Sequence, residues 1–234
     1  MFSQDASTLL AEMDKIMFSP KDKQGTVAII LKNKAGKVKE REALMMQKGS
    51  NKKLYRYTKP ESQEGVATLA LPDDVMWMYM PAFGKPKRIS LLAKSQSFTG
   101  TDFSYEDMAT SPYSERFDPT LIENSESEYL LELKPKPDNK SKYSKIVVHL
   151  HKTNYYPLLL EFYDRGGKKF KEAVYQYEKI GQYWNAAEVV MTNLKKEHST
   201  TIQLKDVKFD QGLSDDEFTV EKLEGEKKEK TSEN

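Results

Sequence analysis

The sequence predicts one α+β domain: an antiparallel sheet curled into a barrel or deep half-barrel, with a helix in front of it. Three observations carry this. A stretch of helical periodicity opens the chain. Short alternating segments bounded by turn residues then fill both flanks of one irregular stretch. Ten or eleven such strands are too many for a flat open sheet, so the sheet has to curl. With 234 residues the chain is long enough to bury a substantial core.

The opening "DASTLLAEMDKIMFSPKD" repeats Leu9, Leu10, Met13, Ile16 and Met17 at helical spacing. Asp5 or Ser7 can cap its start, and Ser19-Pro20 ends it because proline cannot continue the hydrogen-bond ladder. The spacing predicts an amphipathic helix packed on the body. From Gly25 to Lys94, "GTVAIILKN", "VKEREALMMQKG", "KKLYRYTKP", "GVATLALP", "VMWMYMP" and "KPKRISLLAK" read as an antiparallel meander of about six strands. Residues 97–124 break that texture and read as loop with one or two short helices, punctuated by Pro112 and Pro119. Strands return in "SEYLLELKPK", "SKIVVHLHK" and the long run from Tyr156 to Phe209, where "DRGG" makes a hairpin turn. "SDDEFTVEKL" starts with a capping-box pattern, Ser214 to Glu217, and predicts a short helical turn. The boundaries expected are one domain over 1–222 and a charged, disordered tail over 223–234.

Composition narrows the function. Thirty-seven basic residues against 36 acidic ones leave a formal charge of +1, so there is no global electrostatic case for nucleic acid or an anionic membrane surface. A mean hydropathy of −0.74 predicts a soluble chain, and no run approaches the ~20 apolar residues of a spanning helix. Cysteine is absent, which excludes disulfides, thiolate metal sites and cysteine nucleophiles on this chain. The start, "MFSQDAS", lacks the layout of a signal peptide.

Candidate chemistry is sparse. His149 and His151 share one face of a strand whose other face carries Ile146, Val148 and Leu150, so the pair is expected to point to solvent. "SFTGTDFSYEDMA" (97–109) holds Asp102, Glu106 and Asp107, but this spacing fails the alternating ligand pattern of a calcium loop, and no P-loop follows Gly100. Acids at the start of a short helix are ordinary capping chemistry. No catalytic site, metal or cofactor is expected. The unusual stretch is "VMWMYMP": a half-barrel strand alternates apolar and polar, yet here both faces are apolar. Either something covers it on both sides, or one face lines a cavity for an apolar ligand, a use that suits the adaptable methionine side chain.

These residues carry a resemblance. Pro60, Gly65, Leu69, Trp77, Tyr79, Pro81, then Lys87, Arg88 and Ile89, then Gly100, Asp102, Phe103, Tyr105, Glu106 and Asp107 resemble the paired motifs of the outer-membrane lipoprotein-sorting protein family, of the LolA-like superfamily. The opening helix, "YYPLLLEFYD" and "DDEFTVEKL" fit the same outline over nearly the whole chain. The resemblance implies an incomplete β-barrel (LolA/LolB-like) with an N-terminal helix and short lid helices. It also implies a mature periplasmic protein of a Gram-negative bacterium whose signal peptide has been removed. The implied function is non-enzymatic: a carrier that binds acyl chains of lipoproteins or lipids in an apolar half-barrel cavity and shuttles them toward the outer membrane. Its implied partners are that cargo, an inner-membrane transporter and an outer-membrane acceptor, without nucleic acid or stable membrane insertion.

On this reading Ile29, Leu31, Leu44, Met46, Met78, Leu131, Val148, Leu150, Leu160 and Phe162 are the expected cavity lining, and Gly100, Asp102, Phe103, Ser104 and Tyr105 the expected lid and hinge. Gly100 permits a tight turn, Asp102 or Ser104 caps a short helix, and Phe98, Phe103, Tyr105 and Met108 pack the lid on the barrel mouth. One alternative is a lipoprotein-binding sensor or accessory module of an envelope lipid-export or stress system that transfers no cargo. Another is a hydrolase built on His149 and the acidic block.

Overall fold

The computed structural model describes residues 5–90, 93 and 95–225. Helix α1 (Ala6–Phe18) starts at Asp5, whose carboxylate accepts from the Thr8 backbone N at 2.9 Å, and ends before Ser19-Pro20. Six strands follow: β1 (Asp22–Lys32), β2 (Val38–Lys48), β3 (Lys52–Lys59), β4 (Ala67–Leu71), β5 (Val75–Tyr79) and β6 (Lys87–Arg88). After a four-residue helix, α2 (Tyr113–Arg116), come β7 (Phe117–Asn124), β8 (Glu128–Pro135), β9 (Lys145–His151), β10 (Pro157–Tyr163), β11 (Lys169–Ile180), β12 (Tyr183–Asn193) and β13 (His198–Phe209).

All thirteen strands form one antiparallel sheet in the order β6-β5-β4-β3-β2-β1-β13-β12-β11-β10-β9-β8-β7. The first and last strands pair at its centre. The chain therefore steps outward from the centre to the β6 edge, jumps to the opposite β7 edge, and steps back. The sheet curls but does not close, because β6 and β7 are edges and not partners. Gly25 sits in the central pair, where the β1–β13 register shifts. A Cβ there would lie 2.8 Å from the Lys205 carbonyl oxygen, so the close approach of the two backbones needs glycine.

Three expectations need correction. The sheet has thirteen strands instead of ten or eleven, partly because β7 lies inside the stretch read as loop. Pro119 obscured it, yet β7 is an edge strand and a proline there need not cost a ladder bond. The stretch does hold one short helix among the described residues, α2, but the helix expected from Asp102 or Ser104 is absent. Between 97 and 112 the described residues form turns and one isolated bridge, Ser97 to Ser104. The third concerns the tail expected from 223. Leu223 is fully buried, so packing continues past that boundary, while residues 226–234 lie outside the described residues.

The doubly apolar β5 has a structural explanation. Met76 and Met78 face the concave side of the sheet, whereas Trp77 and Tyr79 face the convex side. The chain after β13 folds back over that outer face through two 3₁₀ turns, Asp215–Phe218 and Glu221–Glu224. Ser214 caps the first, accepting from Asp216 N at 3.3 Å. Phe218 and Leu223 then pack on Leu54, Ala67 and Leu69, and Arg56 donates to the Leu223 carbonyl at 3.1 Å. Phe218→Ala should cost about 3–5 kcal/mol, because its ring is 3% exposed and a cavity would remain. Chemical denaturation with an unchanged m-value is the check; a loss below 1 kcal/mol would show that the outer clamp is dispensable.

Candidate functional site: a plugged apolar concave face

Strand register sorts the expected lining. Val27 faces Ala43 and Leu204, Ile29 faces Ile202, and Met45 faces Tyr55, so these residues share the concave side. In the other half, Leu131 faces Val148, which faces Leu160, which faces Ala173, all on that same side. Ile29, Leu31, Met78, Leu131, Val148, Leu150, Leu160 and Phe162 thus lie on the concave face. Leu44 and Met46 do not. They alternate with the inward Ala43 and Met45, so they point outward; Leu44 is 50% exposed and Met46 packs beside the outer clamp. "ALMM" is apolar on both faces, and a register error of one residue exchanges the faces.

This concave face is covered. Leu9, Leu10 and Met13 of α1 pack on it, together with Phe98, Phe103, Tyr105 and Met108 from the segment that crosses between the two edges. Leu131, Val148, Leu150 and Leu160 have no exposure at all beneath them. Helix and crossing segment together plug the half-barrel.

The crossing segment is fastened at three points along its path. Near β2 and β3, Arg41 donates to the Thr99 carbonyl at 2.5 Å, and the Tyr57 hydroxyl lies 2.5 Å from Thr99 Oγ1. Thr99 and Gly100 turn the chain with φ of +48° and +79°. The glycine adopts this freely, but a β-branched threonine there is strained, and the two bonds hold it. At the sheet centre, Asp102 was expected as a helix cap but instead bonds β13. Its N donates to Thr200 Oγ1 at 3.0 Å, and its Oδ2 meets Thr200 Oγ1 at 2.7 Å and His198 Nδ1 at 2.5 Å.

At the third point Asp107 Oδ2 accepts from Lys171 Nζ at 2.7 Å and from Ser104 N at 2.7 Å, while Oδ1 accepts from the Tyr143 hydroxyl at 2.5 Å. Ser104 Oγ returns an acceptor to Asp107 N at 3.3 Å, a reciprocal cap on a turn instead of a helix. Both charges are buried, the side chains of Lys171 and Asp107 being 2% and 5% exposed. Burial pushes the Asp107 carboxyl up, but the Lys171 and Lys142 charges and the Lys171 and Tyr143 bonds hold it at about 2. Glu106 beside it accepts from Ser141 and Lys142 N, and burial outweighs those donors and raises its carboxyl.

Helix α1 is latched to the same segment. Asp14, buried, accepts from Tyr113 N at 2.9 Å and Ser114 N at 2.8 Å, the first donors of α2. Between the end of α1 and the sheet a cavity of about 130 Å³ remains. That is room for roughly four waters at ~30 Å³ each, well short of the ~300 Å³ at which ligand pockets begin. As it stands, this cavity is too small for an ordinary ligand.

Sequence reasoning missed Lys171, His198 and Asp14. Each reads as an unremarkable polar residue in a strand or helix, and only the crossing segment gives them partners. The expected histidine pair is elsewhere: His149 Nδ1 lies 3.1 Å from Glu128 Oε2, and His151 Nδ1 accepts from Asn154 N at 3.1 Å. Asp102 bonds His198, whereas His149 pairs with Glu128. Among the described residues no group of three or more histidine or acidic side chains is arranged to hold a metal.

A family model described as an uncharacterized protein matches residues 49–225. A domain from Vibrio parahaemolyticus designated outer membrane lipoprotein-sorting protein superposes with a TM-score of 0.85 at 30% identity, over 92% of this chain and 97% of that one. The chain belongs to the outer-membrane lipoprotein-sorting protein family. A DUF1329 family protein from Desulfovibrio piger matches with a TM-score of 0.86 at 26% identity, over 93% of this chain and 97% of that one. A LolA superfamily protein from Nitrosomonas europaea matches with a TM-score of 0.77 at 25% identity, over 93% and 98%. No curated protein sequence matches. The lipoprotein-sorting fold thus has a LolA-like open curl, and no described helix is long and apolar enough to cross a membrane.

Proposed function

We propose that this protein carries acyl chains of lipoproteins or lipids through the periplasm toward the outer membrane, without a chemical step. The observation that carries this reading is the cover of the concave face. An apolar surface spanning the half-barrel is closed by one helix and one irregular segment, fastened by polar latches, where a purely structural sandwich would use a second sheet. Ligand and plug compete for one surface. Each methylene buried stabilises the complex by roughly 0.8 kcal/mol, and each plug residue displaced offsets part of that gain. Such an exchange keeps loading and release close to balance, as a shuttle requires. On this reading the partners at the two ends of the path are an inner-membrane transporter that loads the carrier and an outer-membrane acceptor that unloads it.

The test is titration of delipidated protein with a fluorescent fatty-acyl probe, followed by transfer from donor to acceptor vesicles. Saturable one-to-one binding and protein-dependent transfer are expected. Absence of saturable binding would overturn the reading, and binding without transfer would make the protein a sensor of acyl groups instead.

A further inference from the structure

The concave face carries a basic row at the end where α1 leaves the sheet. β1, β2 and β3 set Lys23, Gln47 and Lys53 directly opposite one another. Strands lie about 4.8 Å apart, so the two lysine backbones stand roughly 10 Å apart, close enough for both side chains to converge on one anion. All three residues line the 130 Å³ cavity under Met17 and Phe18. Arg116 lines it as well, and its buried Nε–H has no partner among the described residues. The carboxylate in that wall, Asp107, is already committed to Lys171, Tyr143 and Ser104. Neither the Lys23 nor the Lys53 ammonium has a hydrogen bond or ion pair among the described residues.

For folding alone this arrangement is unfavourable. Two like charges share a partly buried site without a counter-ion, and methionine would fill the same space without the desolvation cost. Burial lowers both ammonium groups to about 8, with the Lys53 charge adding to the effect on Lys23, so both still carry charge at pH 7. The opposite wall is Tyr175 and Tyr177, aromatic faces leading from the basic row toward the apolar core beneath α1.

We propose that Lys23, Lys53 and Arg116 seat the anionic head group, carboxylate or phosphate, of an amphiphile whose chain runs beneath α1 onto the apolar face. This rests on the acyl-carrier reading and narrows its cargo to acidic amphiphiles. Charge-assisted bonds to two or three fixed cations discriminate strongly against an uncharged head of the same chain length.

The test is displacement of the fluorescent acyl probe from full-length delipidated protein by four competitors: palmitate, palmitoyl-lysophosphatidate, monopalmitoylglycerol and inorganic phosphate. At pH 7 the better of the two acidic lipids should displace at about tenfold lower concentration than monopalmitoylglycerol, or less still. Whichever acidic lipid is better tells carboxylate from phosphate. In Lys23→Met/Lys53→Met the acidic-to-neutral ratio should fall to near one while Tm rises, and Lys23→Gln/Lys53→Gln should repeat the loss of preference. Equal displacement by acidic and neutral lipids in the wild type would overturn this inference and leave the acyl-carrier reading standing. Inorganic phosphate competing as well as lysophosphatidate would overturn it in favour of a free-anion site. Failure of the acyl probe to bind at all would overturn both.

Discussion

Lys171→Met should destabilise the protein by about 3–5 kcal/mol, the cost of leaving a buried carboxylate without its partner. For a chain of this size that corresponds to a fall in Tm of roughly 6–20 °C. The Lys171 ammonium touches Asp107 at 2.7 Å and the Asp102 carbonyl at 3.2 Å, and the Tyr143 and Phe162 rings surround it, so no water can replace it cheaply. The pH dependence separates this account from simple loss of packing. In the wild type Asp107 is held at about 2, below its ordinary 3.8. The pair's contribution is therefore fully present above about pH 4 and is lost as pH falls toward 2. Removing Lys171 takes away the foremost opposing charge and leaves only Lys142, Tyr143 and Ser104 N against burial, so the folded-state value should rise above the ordinary one. The variant then gains stability as acid protonates Asp107, so the gap to wild type should narrow between pH 7 and pH 4.5. Adding Asp107→Asn should recover much of the loss at pH 7, because the uncompensated charge disappears. A gap that is constant in pH, with no recovery in the double variant, would show that the ion pair is not the source of the effect.

Asp14→Ala should cost about 2–4 kcal/mol and loosen the plug. Its carboxylate accepts from two backbone N–H groups at the start of α2, and alanine leaves both without an acceptor beside a buried helix. Asp14→Asn, which keeps one acceptor oxygen, should fall between. If α1 must lift for an acyl chain to enter, weakening this latch raises the population of open protein and speeds probe association, by up to about tenfold per 1.4 kcal/mol of weakened closure. Stopped-flow mixing with the fluorescent acyl probe reads this directly. A variant that is destabilised yet binds no faster would place the moving element elsewhere, with the crossing segment the next to test through Thr200→Val, which removes both hydroxyl bonds to Asp102.

Much of the architecture was legible because it depends on local chemistry. Asp5 and Pro20 bracket α1 through capping and a missing donor, and both act within one turn. The meander was legible because each strand is short, alternates and ends in turn residues. The motif that begins at Gly100 also marked where the strands stop.

What the sequence determined by itself was the kind of object: one helix, a run of antiparallel strands long enough to curl, and an interruption rich in aromatics and acids. Tertiary structure decided which side of each strand is inside and what lies against it. Leu44 and Met46 are as apolar as Met45, and only pairing with β1 and β3 turns them outward. Lys23, Lys53 and Lys171 read as ordinary strand lysines, yet strand register places all three on the concave side. Asp102 looked like a cap until the crossing segment passed beneath β13 and met Thr200 and His198, about a hundred residues away in sequence. The physical reason is common to all of these. Capping, turns and periodicity act over a few residues, whereas strand parity and buried charge pairing are fixed only when distant segments settle into one register.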